Sequence, residues 1–376
     1  MQLINLLGQA LWMGFAMLWE ILWPLVLGFA LSGAVQAVVS KGEMSKLLPN
    51  DSPKSLAIAT GLGAASSSCS YAAVALARSI FRKGADFTAA MAFELASTNL
   101  VVELSIILIV LMGWQFAAAE FAGGVLMVII VAILFRMMLS RQLVREAREQ
   151  ADKGIKGVME GHAEMDMSVE GGGSIWQRLT SAEGITSVSH YFVMDVLAVW
   201  KDIVGGLLIA GALGAWVPGT FWQSFFLTSH PIAATLWGPI IGPLVAVVSF
   251  VCSVGNIPLA AVLWNGGISF GGVIAFVYAD LIILPIIDIY RKYYGWKVTA
   301  LVVGIFYLAM ALAALGIELL FAGLGLIPQH RNAEVVEMAI TFNYTTWLNI
   351  IFLGLTVFLL VRFLKTGGPK MLAHMH

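Results

Sequence analysis

Charge is what this chain has least of. Asp, Glu, Lys and Arg make up 11% of its 376 residues and 60% are hydrophobic, whereas soluble domains carry roughly a quarter charged residues. That balance excludes an ordinary globular enzyme. Cysteine is nearly absent as well: Cys69 and Cys252 are the only two, both lie inside apolar sequence, and no disulfide framework can be built from them. The first forty residues hold no Lys or Arg, so the basic start of a cleavable signal peptide is missing and the first apolar run reads as a span. No Walker A sequence occurs, which argues against direct ATP drive by this chain and leaves a partner ATPase open. No basic patch interleaved with aromatics occurs either, so nucleic acid is not expected as a partner. No cofactor signature, quinone or flavin, is visible. The apolar runs are continuous, which disfavours a β-barrel, whose strands alternate in polarity.

What remains is a set of runs of the length an α-helix needs to cross a hydrocarbon core of roughly 30 Å. The expectation is an all-α polytopic membrane protein with membrane lipid around it. Seven full spans are read near residues 11–39, 86–112, 116–139, 203–226, 270–290, 298–321 and 339–362. Lys and Arg fall in islands, which lets the preference of basic loops for the cytoplasm be applied loop by loop. Lys41, Lys46 and Lys54 stand before the segment near 55–83, and Arg78, Arg82 and Lys83 close it. Both islands favour the same side, so the segment reads as a re-entrant hairpin that turns in the Gly61–Ser70 stretch, where Gly and Ser make a poor helix interior. Irregular backbone at membrane depth is tolerated only where protein or a water-filled cavity lines it.

From Asp202 to Tyr290 there is no Lys or Arg, and a second broken segment near 232–265, with Pro239, Gly242, Pro243, Gly255 and Pro258, reads as a hairpin opening to the opposite face. Arg291, Lys292 and Lys297, and later Arg362, Lys365 and Lys370, mark the cytoplasm again. Arg331 alone breaks the pattern. The resulting plan is a first repeat at 1–139, a cytoplasmic polar loop at 140–200, a second repeat at 201–321, and an extra segment with the last helix and cytoplasmic tail at 322–376. The N-terminus is then outside.

Superposing Cys69 on Cys252 without gaps gives eight identities in the 27 positions from Ser70 to Ala96, Gly84 on Gly267 and Phe87 on Phe270 among them. The charge pattern reverses over the same two blocks. An inverted repeat holds its substrate near the midplane, at the interface of the halves. Cys69 and Cys252 would then face a common centre from the two hairpins. Two thiolates there suit a soft metal or metalloid; free cysteine equally often packs as a small hydrophobe. Ser68, Ser70 and Ser253 would add hydroxyl ligands, or simply bond the backbone freed at the breaks.

A carboxylate at the bilayer centre costs about 2.5 to 3.5 kcal/mol, so one found there is a functional candidate by default. Glu94, followed by Ser97, Thr98 and Asn99, and Asp280 in the matching span, are candidates for proton coupling or ion binding; a hydrogen-bonded structural acid is the alternative. Glu103 and Asp288 fall nearer span ends, and Glu20 lies part-way along the first span. In the polar loop His162, Glu164 and Asp166 mix nitrogen and oxygen donors that could capture a metal, but their spacing matches no defined site and a solvated loop explains them. Trp12, Trp19, Trp23, Trp216, Trp222 and Trp264 suit an aromatic belt at the membrane interfaces.

The stretches Cys-Ser-Tyr-Ala-Ala-Val-Ala-Leu-Ala (69–77), Cys-Ser-Val-Gly-Asn-Ile-Pro-Leu-Ala (252–260), Ala-Asp-Leu-Ile-Ile-Leu-Pro (279–285) and Tyr-Arg-Lys-Tyr-Tyr-Gly-Trp (290–296) resemble predicted permeases related to ArsP-type organoarsenical efflux permeases. The resemblance runs over most of residues 11–320. It implies a bacterial inner-membrane permease, with export of trivalent organoarsenicals known among relatives, and it puts Cys69, Cys252, Asn256, Pro258 and Asp280 at motif positions. Many relatives carry Cys-Ser-Cys at a hairpin tip; here Tyr71 and Val254 take the third place, so other metals, metalloids or small sulfur-containing solutes stay open as cargo. The reading is a secondary transporter working by alternating access. Two alternatives stand beside it, a membrane thiol-disulfide enzyme cycling Cys69 and Cys252, and a channel. Assembly into a homo-oligomer is open.

Overall fold

The computed structural model describes residues 2–38, 46–67, 70–152, 167–169, 174–216, 221, 224–249, 253–331, 333 and 344–373, with backbone alone at some helical positions. Among these the protein is helical throughout and contains no strand. The helices are α1 (Gln2–Val38), α2 (Pro53–Ser66), α3 (Ser70–Arg82), α4 (Phe87–Asn99), α5 (Val102–Met112), α6 (Trp114–Met138), α7 (Arg141–Asp152), α8 (Ile175–Thr180), α9 (Ala182–Trp216), α10 (Pro231–Ser249), α11 (Ser253–Gly266), α12 (Phe270–Tyr278), α13 (Leu284–Tyr294), α14 (Trp296–Leu324), α15 (Tyr344–Lys365) and α16 (Gly368–Ala373).

Four helical stretches among the described residues are long and apolar enough to cross a membrane: Phe87–Met112, Trp114–Met138, Trp296–Leu324 and Thr345–Lys365. A fifth is the pair Phe270–Ile282 and Leu284–Tyr294, bent by 43°. These five coincide with five of the seven expected spans. The other two expectations fall on α1 and α9, and α9 begins at Ala182, inside the segment read as a polar loop. The amphipathic α7 and the short α8 also lie in that segment.

The helices interlock where side chains repair the backbone. In α1, Pro24 has no N–H to donate to the turn before it, which leaves an opening in the hydrogen-bond ladder. The buried Asn349 of α15 fills the opening, its Oδ1 accepting from Trp23 N at 3.0 Å and its Nδ2 donating to the Trp19 carbonyl at 2.7 Å.

α2 ends at Ser66, and Ser67 takes a left-handed conformation at φ 39°, so the first break falls within the Gly- and Ser-rich stretch expected to turn. In the second half α10 is described to Ser249 and α11 from Ser253, and the residues between them lie outside the described ones. Pro239 and Pro243 sit inside α10 and Pro258 inside α11. The turns that follow α3 and α11 are built alike. Gly84 and Gly267 turn the chain at φ +111° and +109°, a region open to glycine at no steric cost. Their amides close on Phe81 O at 3.1 Å and Trp264 O at 3.0 Å.

Arg148 of α7 donates to the carbonyls of Phe81 (2.6 Å) and Ala85 (3.0 Å), its guanidinium 4.1 Å from the Phe81 ring centre. Arg331 donates to the carbonyls of Trp264 (2.8 Å) and Ile268 (2.6 Å), 4.1 Å from the Trp264 ring centre. Every member of the second set lies 183 residues after its counterpart, the offset that superposes Cys69 on Cys252. Arg331, the exception to the charge pattern, thus has a specific task. Trp264 is 3% exposed and belongs to this packing, not to an aromatic belt. The helices that follow the turns, α4 and α12, are buried at every position and form the centre of the molecule.

Candidate functional site

α12 cannot run on into α13. Pro285 has no N–H to donate and would clash with the carbonyl one turn before it, so Ala279–Ile282 form a single 3-10 turn and the chain bends. Asp280 sits in this turn, fully buried, with Leu281 N–H bonding its carboxylate. Ser70, the first residue of α3, donates from Oγ to Asp280 Oδ2 at 2.6 Å, and the Thr98 hydroxyl is also within hydrogen-bonding reach. The start of the first hairpin's exit arm is therefore tied to the broken span of the other half.

Glu94 makes a second tie of the same kind. It is fully buried on α4, and Oε1 accepts a hydrogen bond from the hydroxyl of Tyr290 on α13. Its Oε2 has no hydrogen-bond partner. One turn on, Asn99 Nδ2 donates to Thr98 Oγ1 (3.0 Å) and Leu95 O (3.2 Å), and its Oδ1 is unpartnered. Ser97 Oγ bonds back to Glu94 O at 2.9 Å. Asn256 on α11 is fully buried, with neither amide atom bonded among the described residues.

A third central acid was not singled out in the sequence. Glu120 on α6 is fully buried, both its carboxylate oxygens lack partners among the described residues, and it lies within electrostatic reach of Asp280 and Glu103. Tyr278, two residues before Asp280, holds α6 in place by donating to Glu120 O at 2.6 Å. The cost argument that selects Glu94 would also have selected Glu120, the one carboxylate in the apolar Trp114–Met138 stretch. No ion pair to Glu94, Glu120 or Asp280 is seen among the described residues. Glu103 is buried at the first turn of α5, whereas Asp288 is half exposed and pairs with Arg291 and Lys292 at 2.8 Å each.

Of the expected site residues, Ser70 and Asp280 are thus brought together and Asn99 joins them through Thr98, with Glu94 and the unforeseen Glu120 near Asp280. Ser68, Cys69, Cys252, His162, Glu164 and Asp166 lie outside the described residues, as does the side chain of Ser253. Among the described residues no three His, Cys, Asp or Glu side chains converge at metal-binding distance.

A seam of buried polar side chains thus crosses between helices, several of which are long and apolar enough to span a bilayer. The sequence family described as predicted permease, ArsP_1, matches residues 6–319. The chain belongs to the ArsP_1 family. The "Putative permease Rv2963" of Mycobacterium tuberculosis is 61% identical to it over 338 residues, which cover 90% of this chain and 83% of that protein. No solved structure matches. The ArsP_1 match takes in both hairpins and every acid of the seam, and it stops before α15. The chain is accordingly a multi-pass membrane permease, which points to a transporter and not to an enzyme.

Proposed function

We propose that this permease is a secondary transporter that works by alternating access. Its halves form an inverted repeat and its site lies between the two hairpins. The observation that carries the reading is the Ser70–Asp280 hydrogen bond at 2.6 Å, seconded by Tyr290–Glu94, because each links a group of one half to an acid or phenol of the other. The matched turns at Gly84 and Gly267, with their matched arginines, support the repeat. In this reading Cys69 and Cys252 supply soft ligands from the two hairpin tips, with Ser68, Ser70, Ser253, Asn99 and Asn256 around them. The cargo is a small thiophilic solute, a metal, a metalloid or an organoarsenical, exported across the bacterial inner membrane. The N-terminus faces outward and the 140–200 segment faces the cytoplasm.

Glu94 and Asp280 couple transport to protons. An ionised carboxylate without a basic partner is costly in hydrocarbon, while the neutral acid with a hydrogen bond is tolerated. Loss of the proton therefore favours a state in which water or cargo reaches the acid. Rocking one half against the other would break the Ser70 and Tyr290 bonds and open that access. The test is flux of arsenite, trivalent methylarsenical and Zn²⁺ in proteoliposomes with and without a pH gradient. Asp280→Asn and Glu94→Gln should lose gradient-driven flux, about 100-fold on the scale of a two-decade coupling, and retain exchange. Cys69→Ala and Cys252→Ala should lose both. Full activity of the cysteine variants would remove the thiolate site, and gradient-driven flux surviving in the carboxylate variants would remove the coupling role.

A further inference from the structure

A groove of about 590 Å³ runs between the first hairpin's entry arm and α6, in the size range of a ligand site. One wall is Leu56, Ala57 and Gly61 of α2, and the other is Val125, Ile129 and Ile133 of α6. The α6 wall is outward-facing and apolar on a helix able to span the membrane, so its surroundings are hydrocarbon. One end of the groove is charged. Arg136 lines it and bonds Asp51 through Nε and Nη2, both at 2.9 Å. Lys54 stands exposed on the first turn of α2 and makes no ion pair with the described residues. Two cations against one anion, beside the amino end of a 14-residue helix, leave this end net positive.

The other half closes the corresponding space. There Tyr307 of α14 donates to the Ile240 carbonyl of α10 at 3.0 Å, strutting the entry arm onto the span. In the register that superposes Cys69 on Cys252, Ala57 and Gly124 stand where Ile240 and Tyr307 stand. Gly124 is packed against Leu100 and can send no strut across to α2, and an added Cβ at Gly61 on the groove wall would meet nothing within 4 Å.

We propose that this groove binds one phospholipid, its acyl chain between α2 and α6 and its anionic headgroup at Arg136 and Lys54. The bound chain buttresses the entry arm, a role the Tyr307 strut fills in the second half. This goes beyond the transport reading and does not depend on the cargo.

The test is native mass spectrometry of the full chain in detergent, given phosphatidylglycerol or phosphatidylcholine of identical chains. Wild type should retain one phosphatidylglycerol in preference to phosphatidylcholine. Ala57→Trp, which fills the groove, should lower that retention about tenfold, since chain affinity scales with buried methylenes. Ile129→Trp fills it from the other wall and serves if Ala57→Trp does not fold. Lys54→Gln with Arg136→Gln should keep the chain and abolish the headgroup preference. Ile350→Trp, on the outward face of α15, should change nothing. Retention unaltered in both groove-filling variants overturns the proposal, as does loss of flux in those variants with lipid retention intact, which would make the groove an entry for the cargo.

Discussion

The turn at Gly84 and the turn at Gly267 match in dihedral angle, closing bonds and arginine partner, yet the helices around them do not match. α10 is strutted to its neighbouring span by Tyr307, while α2 stands off from α6 and leaves a groove. The helix starts differ as well. Asp86 alone caps α4, its Oδ1 accepting from Thr88 N (2.8 Å) and Ala89 N (3.2 Å). Ser269 caps α12 through Gly272 N at 3.1 Å, and the Gly271 amide goes instead to Glu318 of α14. What the two halves share is the satisfaction of buried backbone groups, which hydrocarbon enforces because each unmet group costs several kcal/mol there. What they do not share is apolar packing against lipid, where many arrangements are equivalent.

The strongest way to break the match is to remove its arginines. Arg148→Ala should cost about 3 kcal/mol, the loss of two charge-assisted bonds and a cation–π contact. Arg331→Ala should cost less because that side chain is more exposed. Lys at either place should not restore the loss, because one ammonium cannot span two carbonyls as the guanidinium fork does. Thermal unfolding in detergent measures both. Equal stability of Arg148→Ala and wild type would show the turn to be self-sufficient. The capping difference is sharpened by Glu318→Ala, expected to cost about 2 kcal/mol as a lost cap. Ser269→Asp in that background should recover most of the loss by recreating the Asp86 arrangement; no recovery would mean that Glu318 acts other than as a cap. Tyr307→Phe has the smallest expected effect, about 1 kcal/mol for one partly exposed bond, read from the same unfolding curves.

The sequence was legible where physics is local. Apolar length identified up to five of the seven expected spans, glycine and serine the first break, and the cost of a buried charge singled out Glu94 and Asp280. The partners of those acids, Tyr290 and Ser70, lie 196 and 210 residues away, and no spacing rule reaches that far. Glu120 was available to the same cost argument and passed over. Glu318 was not, because its meaning depends on one amide 47 residues earlier. Arg331 looked anomalous only while charge was counted by loop; two carbonyls and an indole account for it. Pro239, Pro243 and Pro258 lie inside helices and not at their ends. Within a bundle, neighbouring groups absorb a missing bond, so proline marks a helix that needs a companion more often than a helix that ends.

Asn349 is such a companion, and it lies beyond the last residue of the ArsP_1 match. Its amide serves as a rung of α1, so the opening helix is not a complete ladder until the closing helix has been made. Chain ends 326 residues apart are joined in one hydrogen-bond repeat. Synthesis can thread the bundle from its amino end, but α1 acquires its final shape only when α15 arrives, which makes the tail a late-acting splint for the head.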